Sequence, residues 1–413
     1  DKRQILHIGD NLVSDVEQAR AKGVMAFHYQ QACLLPAFPA RTLPSSLAVG
    51  LGRTCYSDLS SSVWRECGFF YAGPAALGFL QWVEERVEED KVDHVLNVSR
   101  DGYLMQRISQ QLKTRFSDRS TYFLGSRIAF TLAAITEDNF CEFLPFFLSG
   151  ADGLSPFELL ERIGVQPPAP EVMKSLGLGD DKRITPELKV EMQRFLYAYR
   201  WEILRVCRKN RRALFIYLNE IGVQEGQTLA LVDVGWRGST QEAFELALKQ
   251  LMDVEVVGYY FCLVDRPERV ARSKCHNMKA MFSSETNSTK LIAQIYKHRV
   301  TIETLFSAPH HTIVGFDLHA RKVQPVEDRG RGADDSNLGN AGEVALGGEL
   351  FAREYTKLLS KLNLEFEPYD IAWPIVEFAV EGKWSDLAEF RKVTNFDTWA
   401  SSKNKQVVIE DYL

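Results

Sequence analysis

The sequence predicts an α/β protein with a mostly parallel sheet, and a repeated pattern supports this fold class. Apolar segments at 94–98, 121–127 and 228–234 each end in a short polar loop that leads into an amphipathic segment, and an apolar run follows at 254–264. Strands that alternate with helices in this way form parallel sheets. A shorter unit of the same kind opens the chain, with a strand at 4–9 that we expect to be buried.

Four segments follow from apolar periodicity and from the distribution of Pro, Gly and Ser. We expect a strand–helix–strand unit over residues 1–34 and a linker over 35–67. The main domain is predicted over 68–269, with a helical insertion at about 156–222. Residues 270–413 are predicted to form an α+β accessory region.

The composition is that of an ordinary globular protein, because 45% of the 413 residues are hydrophobic and 25% are charged. These values exclude a collagen, a coiled-coil rod and a mainly disordered chain. The formal net charge of -6 argues against nucleic acid as the main partner. Seven scattered cysteines indicate reduced thiols in a cytosol-like compartment. No apolar run is long enough to span a bilayer, so we expect a cytoplasmic protein, at most peripheral to the inner face of the membrane.

An acidic loop follows the first predicted strand. In HIGDNLVSDVEQARAKG, Asp10 and Asp15 lie on a loop directly after the strand, and carboxylates so placed are natural ligands for Mg²⁺. The segment resembles the fourth motif of haloacid dehalogenase-like (HAD) phosphatases, which implies that both aspartates help to hold Mg²⁺. The nucleophilic aspartate of that family belongs to a motif upstream of this point. We therefore expect residues 1–34 to be the trailing part of a HAD-like domain.

The segment TLALVDVGWRGSTQEAF carries the strongest signal for a ligand site. A buried strand ends near Asp233, whose carboxylate could accept hydrogen bonds from sugar hydroxyls or stabilise a cationic transition state. A helix then begins at Ser239 and Thr240, where hydroxyls and backbone N–H groups could bind a phosphate. The alternative is a tight strand-to-helix turn capped by Ser and Thr. The residues expected to contact the ligand are Gly235, Trp236, Arg237, Gly238, Ser239 and Thr240.

The same segment resembles the phosphoribosyl diphosphate (PRPP) motif of type I phosphoribosyltransferases, in which an apolar run and two acids precede a T-G-x-T loop at a helix start. Asp233 matches the first acid, and Gly238 and Thr240 match the glycine and the final threonine. Val234 stands in place of the second acid and Arg237 in place of the first threonine. The resemblance implies that the 5-phosphate of PRPP lies on this loop, where Arg237 adds a charged contact.

A second loop follows the strand HVLNV, where that family binds the pyrophosphate of PRPP. Its residues are Ser99, Arg100, Asp101 and Gly102. The resemblance implies that Arg100 pairs with a phosphate and that Asp101 contacts Mg²⁺ directly or through water. The alternative is a surface turn. The next strand ends similarly, and we expect Arg127 to stabilise the charge of the leaving group.

A HAD-like segment followed by a phosphoribosyltransferase-like sheet is similar to bacterial proteins that build ribofuranose into surface polysaccharides. The resemblance implies that 5-phosphoribose moves from PRPP to a glycan or lipid-linked oligosaccharide acceptor, with Mg²⁺ as the metal ion. A HAD-like module would then remove the 5-phosphate. Two other functions stay open: a HAD-class phosphatase whose nucleophile segment lies outside the chain, and a sugar-phosphate binding module without catalysis.

Glu303, in the segment TIETLFSAPHHTIVGF, is a candidate base that would deprotonate the acceptor hydroxyl. A structural carboxylate is the alternative. His310 and His311 follow, but adjacent residues of a strand point to opposite faces, so we expect no shared metal site. The candidate catalytic residues are Asp233, Arg127 and Glu303.

Overall fold

The structure, a computed structural model, describes residues 4–29, 41–59, 62–320, 322–328, 335–382, 388–394 and 409. Its strands are β1 (Leu6–Gly9), β2 (Met25–His28), β3 (His94–Val98), β4 (Ser120–Phe123), β5 (Thr228–Trp236), β6 (Glu255–Leu263), β7 (Asn277–Phe282), β8 (Ile313–His319) and β9 (Lys322–Glu327).

The first helices along the chain are α1 (Gln18–Ala21), α2 (Leu43–Thr54), α3 (Tyr56–Leu59), α4 (Val63–Cys67), α5 (Gly73–Glu89), α6 (Gly102–Leu112), α7 (Arg127–Ala134), α8 (Leu144–Leu148), α9 (Pro156–Ile163), α10 (Pro170–Ser175) and α11 (Pro186–Ala198). They are followed by α12 (Arg200–Glu220), α13 (Ser239–Leu248), α14 (Pro267–Arg272), α15 (Thr289–Lys297), α16 (Arg299–Leu305), α17 (Asp335–Leu362), α18 (Pro368–Val380) and α19 (Ala388–Arg391). Short π-helical segments cover Leu12–Glu17 and Gly68–Ala72, and 3-10 turns cover Ser117–Arg119 and Phe140–Phe143.

Five parallel strands form the central sheet, in the order β4-β3-β5-β6-β7. The chain first winds outward from β3 to β4 and then returns to the other side of β3, so the direction of winding reverses between β3 and β5. In sheets of this kind, ligands bind at such a reversal, in the crevice beyond the carboxyl ends of the strands. The predicted α/β class with a mostly parallel sheet is confirmed.

The strands are apolar because helices cover both faces of the sheet. Val232 and Val234 of β5 pack into one hydrophobic core with residues of α5, α17 and α18. Leu229 and Leu231 pack into a second core with residues of α7 and α13. Successive side chains of β5 thus alternate between the two faces. Asp233, near the carboxyl end of the strand, is a buried charged residue among them.

A helical insertion separates β4 from β5. It begins with α7 at Arg127, earlier than the predicted bound near 156, and ends with α12 at Glu220. Its helices enclose a hydrophobic core of their own, in which Phe147, Leu160 and Leu196 are fully buried. The insertion therefore has a core of its own, while α7 and α12 also pack into the core on one face of the sheet.

The described part of the predicted linker is largely helical and belongs to the main core. Helices α2, α3 and α4 lie within it, and Cys67 is buried in the same core as α5. Pro44 and Ser45, two of the residues that suggested a linker, start a helix instead, whereas residues 35–40 lie outside the described part of the chain. Thr42 and Ser45 form a capping box at the N-terminus of α2, and Pro44 lies in its first turn.

The predicted boundary near residue 269 falls within the sheet. β7 pairs in parallel with β6, so a strand of the predicted accessory region completes the sheet. Its sequence, NMKAMF, lacks the continuous apolar run of a central strand because it lies at the edge, where its first four residues are at least partly exposed. Helices α17 and α18 also pack against α5 and share its hydrophobic core.

The N-terminal unit has the predicted strand–helix–strand order, with β1 and β2 paired in parallel. The prediction that its first strand is buried is wrong, since Leu6 and Ile8 expose 54% and 59% of their surface. Two strands and one short helix supply too few side chains to cover an apolar strand.

Helix α17 lies close to the helices around α4, with glycine at the point of contact. A Cβ atom at Gly347 would lie 2.0 Å from the carbonyl oxygen of Arg65 and 2.8 Å from the backbone nitrogen of Phe69. Only a residue without a side chain permits this approach. No helix in the described part of the chain has the length and apolar character needed to cross a membrane.

Replacing Gly347 by alanine tests this contact. We expect the free energy of unfolding to fall by about 1–3 kcal/mol, the usual cost of overpacking a core, in urea denaturation followed by circular dichroism. The matched control is Gly339→Ala in the same helix, where nothing lies within 4 Å of the added Cβ. The control should be neutral or stabilising by up to about 1 kcal/mol. Equal losses in the two variants would contradict the close packing of α17.

Candidate functional site

A cavity of about 410 Å³ opens at the carboxyl ends of β3 and β5, where the winding of the sheet reverses. The loops after β3, β4 and β5 line it together with residues of α15 and α16. Its volume lies in the range of small-molecule sites. Residues predicted from the sequence form much of the lining: Ser99, Arg100, Asp101, Arg127, Gly235, Trp236, Arg237, Ser239, Thr240 and Glu303.

Gly238 directs the loop after β5 into the start of α13. Its φ of +71° lies in the left-handed region that favours glycine, and a Cβ atom there would lie 2.6 Å from Sδ of Met278. The turn allows α13 to begin at Ser239, so its first N–H groups, which have no partner within the helix, lie next to the cavity. With the hydroxyls of Ser239 and Thr240 beside them, these groups are suited to bind an anion.

The loop after β3 is fastened to the loop after β4. Ser99 donates a hydrogen bond from Oγ to the carbonyl oxygen of Gly125 at 2.7 Å. Ser126 donates from Oγ to the carbonyl oxygen of Ile313 at 2.5 Å. The Ser99–Arg100 peptide bond is cis. The two hydrogen bonds hold segments from three distant parts of the chain at one rim of the cavity.

Asp101 and Asp233 bring two carboxyl groups together at the ends of the two central strands. Their side chains form a hydrogen bond with each other, and Asp233 also accepts from the N–H of Gly235 at 3.4 Å. Burial raises the pKa of both groups, and the negative charge of Asp233 raises the pKa of Asp101 further. The two buried carboxyl groups therefore keep their protons to a higher pH than exposed carboxyl groups do.

Glu303 contributes a third carboxyl group from α16. One of its oxygens accepts a hydrogen bond from Nε1 of Trp236 at 2.6 Å. Burial raises the pKa of Glu303 to about 7, and the negative charge of Asp101 adds to this effect. Glu303 therefore changes its protonation state near neutral pH, the range in which a general base is effective.

Arginines give the cavity a basic lining. Arg100, Arg127 and Arg237 were predicted from the sequence, whereas Arg299 and Tyr296 were missed. Arg299 stands four residues before Glu303, a spacing that puts both on one face of α16 and could have identified it. Tyr296 carries no such signal, because it reaches the cavity from the preceding helix.

The remaining predicted residues lie elsewhere. Gly102, Asp233 and Gly238 are not in the lining; they lie at the start of α6, in β5 and directly before α13. Asp10 and Asp15 lie in the N-terminal unit, where the carboxylate of Asp15 accepts the N–H of Asn11 at 3.0 Å. Among the described residues, no three His, Cys, Asp or Glu side chains are arranged to hold a metal ion. Mg²⁺ binding by Asp10 and Asp15 stays a prediction.

No protein-family model matches the sequence, and no curated protein matches it. The chemistry of the cavity is therefore inferred from its own side chains. The cavity combines a helix N-terminus with two hydroxyls, a basic lining, a carboxyl pair and a separate carboxyl group, Glu303, whose pKa lies near neutral pH. Such a set is suited to bind an anionic group and to stabilise positive charge that develops near the carboxylates.

The substitution Glu303→Gln tests the raised pKa through protein stability. The wild-type free energy of unfolding should fall as the pH rises from about 5 to about 8, because Glu303 of the unfolded chain loses its proton near the ordinary pKa of 4.5 and the folded chain keeps it until about 7. A glutamine at this position cannot ionise and can still accept from Trp236, so the fall should be smaller in the variant. Urea midpoints at the two pH values measure it.

The matched control for this pH experiment is Glu88→Gln, an exposed position on α5. It should keep the wild-type dependence on pH. A Glu303→Gln variant that loses as much stability between the two pH values as the wild type would show that Glu303 ionises normally in the folded protein.

Proposed function

We propose that the protein is a phosphoribosyltransferase that moves 5-phosphoribose from PRPP to a hydroxyl group of a glycan or lipid-linked oligosaccharide, as in ribofuranose incorporation into bacterial surface polysaccharides. One observation carries the proposal. The loops after β3 and β5, which are far apart in the sequence and each resemble a PRPP-binding loop, line the same cavity. A chance resemblance of either loop would not require the two to meet.

The start of α13 is assigned to the 5-phosphate. Its free N–H groups and the hydroxyls of Ser239 and Thr240 offer hydrogen-bond donors to phosphate oxygens. Arg237, exposed at the same rim, adds a positive charge. A phosphate there would interact with the helix dipole as well as with the guanidinium group.

The loop after β3 is assigned to the pyrophosphate. Arg100 lines the cavity from this loop and Arg127 from the start of α7, so two guanidinium groups border the same space. Arginine pairs with phosphate oxygens through two parallel hydrogen bonds. Both side chains would stabilise the negative charge that appears on pyrophosphate as it leaves.

The carboxyl pair replaces the two acids of the PRPP motif. Val234, in the place of the second acid, is fully buried in the hydrophobic core and does not line the cavity. Asp101, from the other loop, supplies the second carboxyl group beside Asp233. Mg²⁺ is commonly held by one or two carboxylates together with substrate phosphates and water. Asp101 and Asp233 fit that role, and the bound ion would neutralise phosphate charge.

The transfer breaks one bond and makes another at C1 of the ribose. The C1–O bond to pyrophosphate breaks, and its electron pair leaves with pyrophosphate. Positive charge grows on C1 and the ring oxygen, where the carboxylate of Asp233 would stabilise it. The acceptor oxygen bonds to C1 and gives its proton to Glu303, whose pKa of about 7 allows it to act as a base at neutral pH.

A sugar-phosphate binding module without catalysis is the second candidate. The observation that favours it is the burial of Asp101 and Asp233 against each other, because the raised pKa values of both groups lower the negative charge available to support a cationic sugar. The HAD-like step stays a prediction for residues 1–34, with Asp10 and Asp15 as its expected Mg²⁺ ligands. A HAD-class phosphatase as the main activity is likewise untested.

Release of pyrophosphate from PRPP tests the proposal directly. With Mg²⁺ and a glycan acceptor bearing the reactive hydroxyl, we expect pyrophosphate to form in proportion to the transferred ribose. Omitting the acceptor or adding a chelator should suppress it. PRPP binding by calorimetry without release in any acceptor would favour the binding module, and the absence of both binding and release would contradict the proposal.

The substitution Asp233→Asn tests the role assigned to the carboxyl pair. Loss of the negative charge beneath the ribose should lower kcat by about 100-fold, the usual effect of removing one electrostatic stabiliser, with a smaller change in the Kd of PRPP. The matched control is Asp138→Asn, an exposed aspartate outside the cavity, which should keep full activity. An Asp233→Asn variant with wild-type kcat would exclude Asp233 from catalysis.

A further inference from the structure

Three arginines surround the ring of Tyr296, and we call them with this tyrosine the Tyr296 cluster. The guanidinium carbons of Arg299, Arg237 and Arg266 lie 4.8, 5.4 and 5.6 Å from the ring centroid. Arg237 donates a hydrogen bond to the Tyr296 hydroxyl, and Arg299 donates to the Tyr296 carbonyl oxygen at 3.3 Å. All three lie within the range of cation–π attraction.

The positive charge of the Tyr296 cluster is not balanced by ion pairs. None of its arginines forms an ion pair with a described acidic residue, whereas two arginines of the adjoining helix α14 do: Arg269 pairs with Asp265, and Arg272 pairs with Glu242. Like charges held around one ring repel each other. A bound anion would relieve this repulsion, so the cluster is suited to bind one.

Neighbouring contacts hold the cluster in place without a ligand. Arg272 donates to the carbonyl oxygen of Arg237 at 3.3 Å. Trp236 packs edge-on against Tyr296, with 6.2 Å between the ring centroids. The backbone of Arg237 and the ring of Tyr296 are therefore held in place before binding, which lowers the entropy cost of capturing a ligand.

The cluster overlaps the 5-phosphate site assigned to the donor, because Arg237 belongs to both, and it extends beyond that site. Arg237 and Arg299 line the cavity, but Arg266 lies outside its lining. The cluster thus extends from the cavity onto the surface. Arg299 lies on the same helix as Glu303, the base assigned to the acceptor hydroxyl, and Tyr296 lies on the preceding helix. A ligand on the cluster would approach the cavity from the acceptor side.

We propose that the Tyr296 cluster binds an anionic group of the acceptor, either the carboxylate of an acidic sugar or a phosphate oxygen of a lipid-linked chain. The proposal rests on the transfer reaction proposed above, because that reaction makes Glu303 the neighbour of the acceptor hydroxyl. Arginine is suited to both groups, since its planar fork pairs with two oxygens of a carboxylate or a phosphate.

Calorimetric titration of the full chain with three matched disaccharides tests this inference. The probes are cellobiose, cellobiouronic acid and a phosphorylated cellobiose. We expect an anionic probe to bind at least about tenfold more tightly than cellobiose, the effect of one charge-assisted contact. Stronger binding of the uronic acid identifies a carboxylate ligand, and stronger binding of the phosphorylated sugar identifies a phosphate. Equal affinity for all three probes would overturn the proposal.

The substitution Arg266→Gln locates the anion. The substitution should lower the affinity for the anionic probe by about tenfold. It should leave the affinity for PRPP unchanged, because Arg266 lies outside the cavity. The matched control Arg208→Gln removes an exposed arginine of α12 and should change neither. An equal loss of PRPP affinity in Arg266→Gln would make the cluster part of the donor site and overturn the proposal. The wild-type protein could bind the anionic probe and lose that binding in Arg266→Gln, yet fail to bind PRPP. That result would support this inference and contradict the transfer reaction.

Discussion

The parallel pairing of β3 with β5 is the contact on which the rest of the site depends. His94 pairs with Leu229 and Asn97 with Val232, so the two strands reach the carboxyl edge of the sheet side by side. This register brings Asp101 within hydrogen-bonding distance of an aspartate on the other strand. A shift by one residue would turn every side chain of β5 to the opposite face. It would break the carboxyl pair and expose the apolar side chains of the core.

The charged groups around the cavity lie in two layers. Carboxyl groups lie at the ends of the strands, and arginines stand at the rim. Arg100 belongs to both layers, because its positive charge partly offsets the rise in the pKa of Asp101 and of Glu303. An incoming anion therefore meets positive charge first, whereas a sugar ring held deeper would face the acids. This separation would let one small cavity attract an anion and still stabilise positive charge, as the proposed transfer requires.

Local patterns were enough to predict the central strands and most of the cavity lining, because each predicted loop directly follows an apolar strand. Such loop patterns do not cover Tyr296 and Arg299, whose helices pack against α18; only the spacing of Arg299 from Glu303 offered a signal for one of them. They also failed for β7, since an edge strand needs no continuous apolar run. The prediction that β1 is buried failed for a related reason. Apolar residues indicate a strand, but the burial of a strand depends on what covers it.

The insertion between β4 and β5 has a consequence for how the chain folds. The two central strands pair across the whole of this segment, and closing so long a loop costs conformational entropy that grows with the logarithm of its length. Pairing between such distant segments is characteristically slow. The insertion encloses its own core, so its helices can collapse before the strands meet and shorten the distance that must be closed. The ligand cavity needs both strands, so it can form only after this long-range pairing.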